Sequence, residues 1–266
     1  MKIYDDTIDF EFHEEQHKYT VSFKVNDDKK DVWTTPRPVV GVTTICNIIA
    51  KDALVGWSAR VCSEYVKHNL KDIKDLTKIA DEARREYINI SNKGKQAGSI
   101  GHELIEKLLK GDEPAPPEDK HLLKEYESIK NAFEDWRDDH QPEPTAIEQA
   151  VYCKTHDFAG TFDLLCNIND RLTLIDFKTT KPSYYNPDGI YASNFAQLGA
   201  YMLGLEEMLG VFVDNCAIVN LPKDGSEYKM RDLSDMGLSN LDAKLYFLAC
   251  NDLYNKNKQF EWRTQK

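Results

Sequence analysis

The sequence predicts an α/β fold with a mixed central sheet flanked by helices. Three observations predict it: two apolar strands joined as a hairpin over 160–178, helical periodicity before and after them (100–139 and 191–209), and further strand-like runs at 212–221 and 228–233. Leu172, Leu174 and Ile175 read as a buried strand ending in Asp176-Phe177-Lys178. Gly160-Thr-Phe-Asp163-Leu-Leu-Cys-Asn-Ile precedes it, and Asn169-Asp170-Arg171 has the turn chemistry of a hairpin. Side chains alternate with period two, so Asp176 and Lys178 share a face, and hairpin pairing brings Asp163 towards Asp176.

The other elements follow in order. Residues 8–40 alternate apolar and polar, as in Ile8-Asp-Phe-Glu-Phe and Tyr19-Thr-Val-Ser-Phe-Lys-Val, with a turn at Asn26-Asp-Asp-Lys before Asp31-Val-Trp. Val39 to Ile45 reads as a strand-to-helix junction with Thr43 or Thr44 as N-cap. From Asp52 to about Ile90 the pattern is helical, with Leu54, Trp57, Val61 and Tyr65 at three- and four-residue spacing and Trp57 read as core. Glycines and polar residues make Ser91 to Ser99 a loop. Ile100, Leu104, Ile105, Leu108 and Leu109 then form one helical stripe, with His102 on its edge, Glu106 one turn beyond His102, and Glu103 towards solvent. A proline-rich loop follows Gly111. Asp119 to about Asp139 is a helix turning Leu122, Leu123, Tyr126, Ile129, Phe133 and Trp136 inward, and Ala146 to Cys153 is a strand carrying Glu148. Pro182 to Gly189 is a loop, Tyr191 to Leu209 a helix with Gln197 and Tyr201 on one face, and a closing helix from near Ser234 carries Leu241, Leu245, Tyr246 and Leu248.

Two convergent carboxylates and a lysine suit phosphodiester hydrolysis with a hard divalent cation, the carboxylates holding Mg²⁺ or Mn²⁺ and the lysine orienting water or offsetting phosphoryl charge. Asp-x-Lys by itself is more often the solvated end of a hairpin, and a single histidine at a core boundary is more often structural than a ligand. The combination decides. Gly101-His102-Glu-Leu-Ile-Glu106, Gly160-Thr-x-Asp163, Asp176-Phe177-Lys178-Thr179 and Gln197-Leu-Gly-Ala-Tyr201, in that order, resemble the PD-(D/E)XK nuclease superfamily. Within it they resemble the RecB-type branch, which includes phage exonucleases related to lambda exonuclease and the mitochondrial genome maintenance exonuclease.

That resemblance implies a restriction-endonuclease-like core over 96–266, preceded by a β-rich and helical elaboration over 1–95. It implies that His102, Asp163, Asp176 and the main-chain carbonyl of Phe177 hold one or two Mg²⁺ or Mn²⁺ ions. Lys178, Asp176 and Asp163 would be catalytic, and Glu148, Thr179, Gln197, Tyr201 and Glu106 supporting or DNA-positioning. A histidine ligand favours Mn²⁺. The partner would be linear DNA, single- or double-stranded, with a recombination or single-strand-binding protein as a further partner. End-processing is favoured over sequence-specific cutting, because no dense Arg/Asn/Gln cluster near the hairpin would read base edges, and because the Gln197/Tyr201 helix and the segment Val39 to Ile45, which is otherwise a simple strand-to-helix junction, resemble the end-processing branch. An endonuclease, or a catalytically silent acidic interaction protein, are the alternatives.

Composition sets bounds. The chain has 266 residues, 41% of them hydrophobic, enough for a sizeable core. Its net charge of −11, from 45 acidic and 34 basic residues, argues against coating DNA by bulk electrostatics. A local track of Arg60, Lys67, Arg84, Arg85, Lys93 and Lys95 would serve instead, unless these are ordinary solvated helix faces. The six cysteines are scattered singly, which suits small buried hydrophobes in a reducing compartment, and no tight cysteine group suggests an iron–sulfur cluster. With no membrane-length apolar run and no signal peptide evident, the expected location is cytoplasm, of a cell or of a phage-infected host.

Overall fold

The computed structural model describes residues 1–27, 30–49, 52–69, 76–183 and 186–264. It opens with β1 (Lys2–Ile3), β2 (Ile8–His13), β3 (Lys18–Asp27), β4 (Lys30–Trp33) and β5 (Arg37–Gly41). β2 to β5 are strands that alternation over 8–40 predicts, whereas β1 is not foreseen; the turn at Asn26-Asp-Asp-Lys includes residues 28–29, outside the described residues. Ile8, Phe10, Tyr19 and Val21 point inward and bury against Val39, Tyr152 and Ala159.

β5 runs straight into α1 (Val42–Cys46). The threonine N-cap is corrected here: Gly41 occupies the cap position and no side chain bonds the free amides. Strand pairing continues as far as Gly41, so both threonines already lie within the helix.

α2 (Asp52–Asn69) and α3 (Leu76–Leu109) follow, and the predicted helix over 52–90 includes residues 70–75, outside the described residues. Trp57 is half-buried and Val61 buried. The loop predicted over Ser91 to Ser99 is corrected, since those residues are interior to α3. Gly98 and Gly101 face neighbouring side chains rather than turning the chain, while a Cβ on Gly94 would meet open space. A Cβ on Gly101 would stand 2.9 Å from Thr179 Cγ2 and 3.0 Å from Ile129 Cδ1, and one on Gly98 3.7 Å from Thr179 Oγ1. Each costs about 1 kcal/mol of helix propensity relative to alanine, offset by burying Ala97, Leu104 and Ile105 along the helix.

α4 (Lys120–His140) is capped by Asp119, whose carboxylate accepts from the amides of His121 at 2.8 Å and Leu122 at 3.2 Å. It buries Tyr126, Ile129, Phe133 and Trp136. β6 (Glu143–Cys153), β7 (Phe158–Ile168) and β8 (Arg171–Lys178) follow. β7 and β8 are the predicted hairpin, and Asn169 and Asp170 both take the positive φ of a mirror-image turn, 51° and 61°. The loop read over Pro182 to Gly189 joins Ser183 to Asn186 by one isolated bridge, with residues 184–185 outside the described residues.

α5 (Ala192–Leu209), β9 (Asn215–Asn220), β10 (Lys229–Asp232) and α6 (Asn240–Thr264) complete the chain. α5 and α6 pack on one side of the sheet with Phe162, Leu174 and Ile218; α3 and α4 pack on the other with Leu164, Ile175, Phe177 and Val219. α6 buries Ala243, Phe247 and Cys250, leaving Leu241 and Leu245 exposed. Cys46, Cys153, Cys166 and Cys216 are buried too. Among the described residues, no helix is long and apolar enough to cross a membrane.

The strand order is β1-β2-β3-β5-β7-β8-β9-β10, with β4 on β3 and β6 on β7. This is the mixed sheet flanked by helices that the sequence predicts. Residues 95 and 96 lie inside α3, and the N-terminal strands join the rest of the sheet through β5 and β7. One detail of this order makes the site. β6 lines one edge of β7 from Phe158 to Asn167. β5 and β8 therefore share the other edge, β5 at Phe158 and Ala159 and β8 from Leu164 to Ile168. Between those two pairings the sheet forks, and Gly160 to Asp163 lie in the gap.

Candidate active site

The fork changes which way side chains point. Phe158 and Phe162 join the core under α5, whereas Leu164 and Cys166 join the core under α3 and α4, so alternation along β7 slips by one residue at Asp163. On β6, Glu148 takes a left-handed φ of 47° and interrupts the ladder between the pairs Ile147–Leu164 and Gln149–Phe162. Non-glycine residues rarely adopt that conformation, and such strain gathers at functional sites. The flanking register sets Glu148 opposite Asp163, and on the other edge the pair Leu164–Ile175 sets Asp163 level with Asp176. Three carboxylates thus stand abreast on three adjacent strands.

Contacts then sort them. Phe177 donates its backbone N–H to Asp163 Oδ2 at 2.6 Å, leaving Oδ1 3.6 Å from His102 Nδ1. His102 is delivered by α3, which the Gly98 and Gly101 contacts hold against buried Thr179. His102, Glu148 and Asp163 each offer a ligand atom, all within 4.8 Å of one another. Asp176, 2% exposed, turns to Lys178, whose Nζ lies 2.5 Å from Oδ2. That approach is poorly directed for a hydrogen bond, so among the described residues this buried oxygen has no well-aligned donor.

Electrostatics follows from the crowding. Burial raises Glu148 to about 8, reinforced by the Asp163 charge. Burial likewise raises Asp176 to about 6, with Lys178 opposing and Asp163 reinforcing. For Asp163, burial is outweighed by His102, Lys178 and the Phe177 N–H, and its pKa falls below the usual value. Burial would lower both cations, yet Asp163 raises His102, and Asp176 with Asp163 raises Lys178. Lys178 stays an ammonium.

The supporting residues stand around this centre. Tyr201 crosses Gly160 so closely that a Cβ there would lie 2.7 Å from its ring and 2.8 Å from Val42 Cγ2; burial, with the Asp176 and Asp163 charges, raises its phenol well above the usual pKa. Gln197 Nε2 reaches Thr43 Oγ1 at 3.4 Å, while its buried Oε1 has no hydrogen-bond partner among the described residues. Glu106 is drawn to the rim by Lys110 at 2.5 Å. Of the basic residues considered for a DNA track, Arg60 and Arg84 pair with Glu64 and Asp81 at 4.0 and 3.9 Å; Lys67, Arg85, Lys93 and Lys95 are exposed on α2 and α3.

Sequence reasoning missed two participants. Tyr19 of β3 brings its hydroxyl to 3.0 Å from Thr161 Oγ1 inside the fork, and nothing in its strand pattern separates it from a core aromatic. Asn220 is fully buried; its Oδ1 accepts from the Thr180 amide at 2.8 Å, and its Nδ2 donates to the Thr180 and Asp188 carbonyls at 2.9 Å. It fixes the segment leaving Lys178.

The donor set fits a hard divalent cation, because an imidazole and two carboxylates converge beside a buried carboxylate oxygen with no well-aligned donor. The family model for the PD-(D/E)XK nuclease superfamily matches residues 89–262. The chain belongs to this superfamily. Nucleases of the superfamily use divalent metals, and the match spans the residues of the fork from His102 to Tyr201, while Tyr19 lies outside it. No curated protein matches the chain. Among solved structures, this nuclease is similar to an alkaline exonuclease (LHK-Exo) from Laribacter hongkongensis, with 14% identity over 73% of this chain and 89% of that one and a TM-score of 0.28.

Proposed function

We propose that this chain is a Mg²⁺- or Mn²⁺-dependent deoxyribonuclease that degrades linear DNA from its ends, serving DNA recombination, repair or replication, as in phage. The observation that carries the reading is the convergence of His102, Glu148, Asp163, Asp176 and Lys178 on the fork of β7. His102, Glu148 and Asp163 would hold the cation, with Asp176 and the Phe177 carbonyl as further oxygen donors. A cation bound there supplies positive charge to the scissile phosphate and acidifies water.

The chain's own groups do the rest. Lys178 has three N–H donors and no acceptor, so it positions the attacking water or a phosphate oxygen by donating to it. Asp176 holds that ammonium in place and keeps it charged. From α5, Tyr201 packs on Gly160 in the fork and Gln197 reaches Thr43 of α1, and together they orient this ensemble. Preference for ends rests on the scarcity of groups near the hairpin suited to reading base edges, which leaves backbone contacts to hold the DNA.

The test is end-labelled linear DNA, single- and double-stranded with either end blocked, incubated in Mn²⁺ beside covalently closed circular DNA. Loss confined to linear molecules supports the exonuclease; discrete cuts in the closed circle replace it with an endonuclease.

A further inference from the structure

Beside the fork lies a cleft of about 710 Å³, one wall formed by Phe10, Phe12 and His13 of β2 and the other by Thr145, Ile147 and Glu148 of β6. Its first wall comes from the N-terminal strands, ahead of residues 89–262 that define the superfamily match. Its second wall is shared with the active site: Glu148 lines the cleft and also belongs to the cation-holding group with His102 and Asp163. One member of the cation-holding group thus faces the cleft.

Its chemistry is unlike that of a phosphate track. Among the described residues no lysine or arginine lines it, and Glu11 at its border adds negative charge. What it offers is a set of rings and aliphatic side chains with a few groups that hydrogen-bond, among them Gln149. Phe12 is half-buried and held by stacking on Tyr19, centroids 4.9 Å apart and planes 21° from parallel. Tyr19 is anchored in turn on Thr161. An open, mainly apolar cleft with an aromatic ring in its wall suits a nucleobase, and the volume falls in the range of small-molecule sites, roughly 300–1,000 Å³.

We propose that this cleft is a nucleobase subsite, taking the base next to the scissile phosphate and stacking it on Phe12 while the phosphate lies at the Asp163 cluster. The assignment rests on the nuclease reading above. It also gives the N-terminal strands a part in holding the substrate.

The experiment uses oligonucleotides carrying 2-aminopurine at successive positions from each end, bound in Mg²⁺ to the full chain with Lys178→Ala to prevent cutting. Binding is followed by anisotropy and base stacking by 2-aminopurine quenching. Quenching is expected at one position and is lost when Phe12→Ala is added, with DNA binding weakened roughly fivefold or more, the loss of one stacked base. Thr145→Trp, which fills the cleft from an exposed strand position, should abolish the same signal with circular dichroism and the metal-dependent melting shift unchanged. DNA that binds with no position quenched, or quenching indifferent to both substitutions, overturns the subsite and leaves the nuclease reading standing. DNA that neither binds nor is hydrolysed by the unsubstituted chain overturns both.

Discussion

Phe177 gives its main-chain N–H to Asp163 Oδ2 at 2.6 Å, so the carboxylate that faces His102 with one oxygen ties the fork together with the other. Two requirements therefore meet in Asp163, and substitutions should separate them. Asp163→Asn keeps an oxygen for the amide and should fold normally, yet lose the rise in melting temperature on adding Mn²⁺. Asp163→Ala should lose that rise and also about 1–3 kcal/mol in urea denaturation, since it strands a buried donor. Equal stability of the two variants would contradict the structural half of this argument.

Metal-free stability should fall as pH rises. Glu148 is raised from 4.5 to about 8 and Asp176 from 3.8 to about 6. Each binds its proton more tightly folded than unfolded, so the stability it contributes is complete below the unfolded pKa and is lost as pH passes the folded one. His102, also raised, acts in the same sense, while Asp163, lowered, contributes stability that is lost only on acidification. Melting temperature without metal should drop between about pH 5 and about pH 8, and Mn²⁺ should restore more of it towards the upper end. Glu148→Gln should flatten the drop. A metal-free melting temperature that climbs across that window would count against the clustered carboxylates.

His102 contributes the one nitrogen of the cation-holding group. Imidazole is a softer donor than carboxylate oxygen, so activity in Mn²⁺ should equal or exceed that in Mg²⁺. His102→Ala should cut activity in both and remove the advantage of Mn²⁺. Full activity of that variant in both metals would make the histidine a packing residue only.

Two glycines place the helices that complete the site. A Cβ at Gly160 would lie 2.7 Å from Tyr201 Cε1, and one at Gly101 2.9 Å from Thr179 Cγ2. Alanine at either position should cost about 1–3 kcal/mol through overpacking. Gly101→Ala should also weaken Mn²⁺ binding, measured by titration calorimetry, because it moves His102. Mn²⁺ binding unchanged in a destabilised Gly101→Ala protein would mean that α3 yields without disturbing the site.

How legible all this was in the sequence depended on range. Asp163, Asp176 and Lys178 were readable together because a hairpin is local: alternation and the Asn169-Asp170 turn fix its register. Glu148 was visible as an acidic residue on a strand, but not as a partner of His102 and Asp163. Its inward turn depends on a left-handed residue in β6 that no local pattern announces. The glycines around Ser91–Ser99 misled, since glycine marks either a turn or a close approach, and only α3 packing on Thr179 distinguishes the two. Tyr19 was out of reach, because its meeting with Thr161 depends on β5 pairing with β7.

In the proposed function Lys178 acts as a charged donor in a DNA-cutting site. The most direct measurement is the rate at which linear DNA is hydrolysed in Mn²⁺ by the unsubstituted chain and by Lys178→Ala, with circular dichroism confirming that both are folded. Hydrolysis should fall at least about 100-fold, the usual order for losing one group that offsets transition-state charge. Equal digestion by the two proteins, or none by the unsubstituted chain, would contradict it.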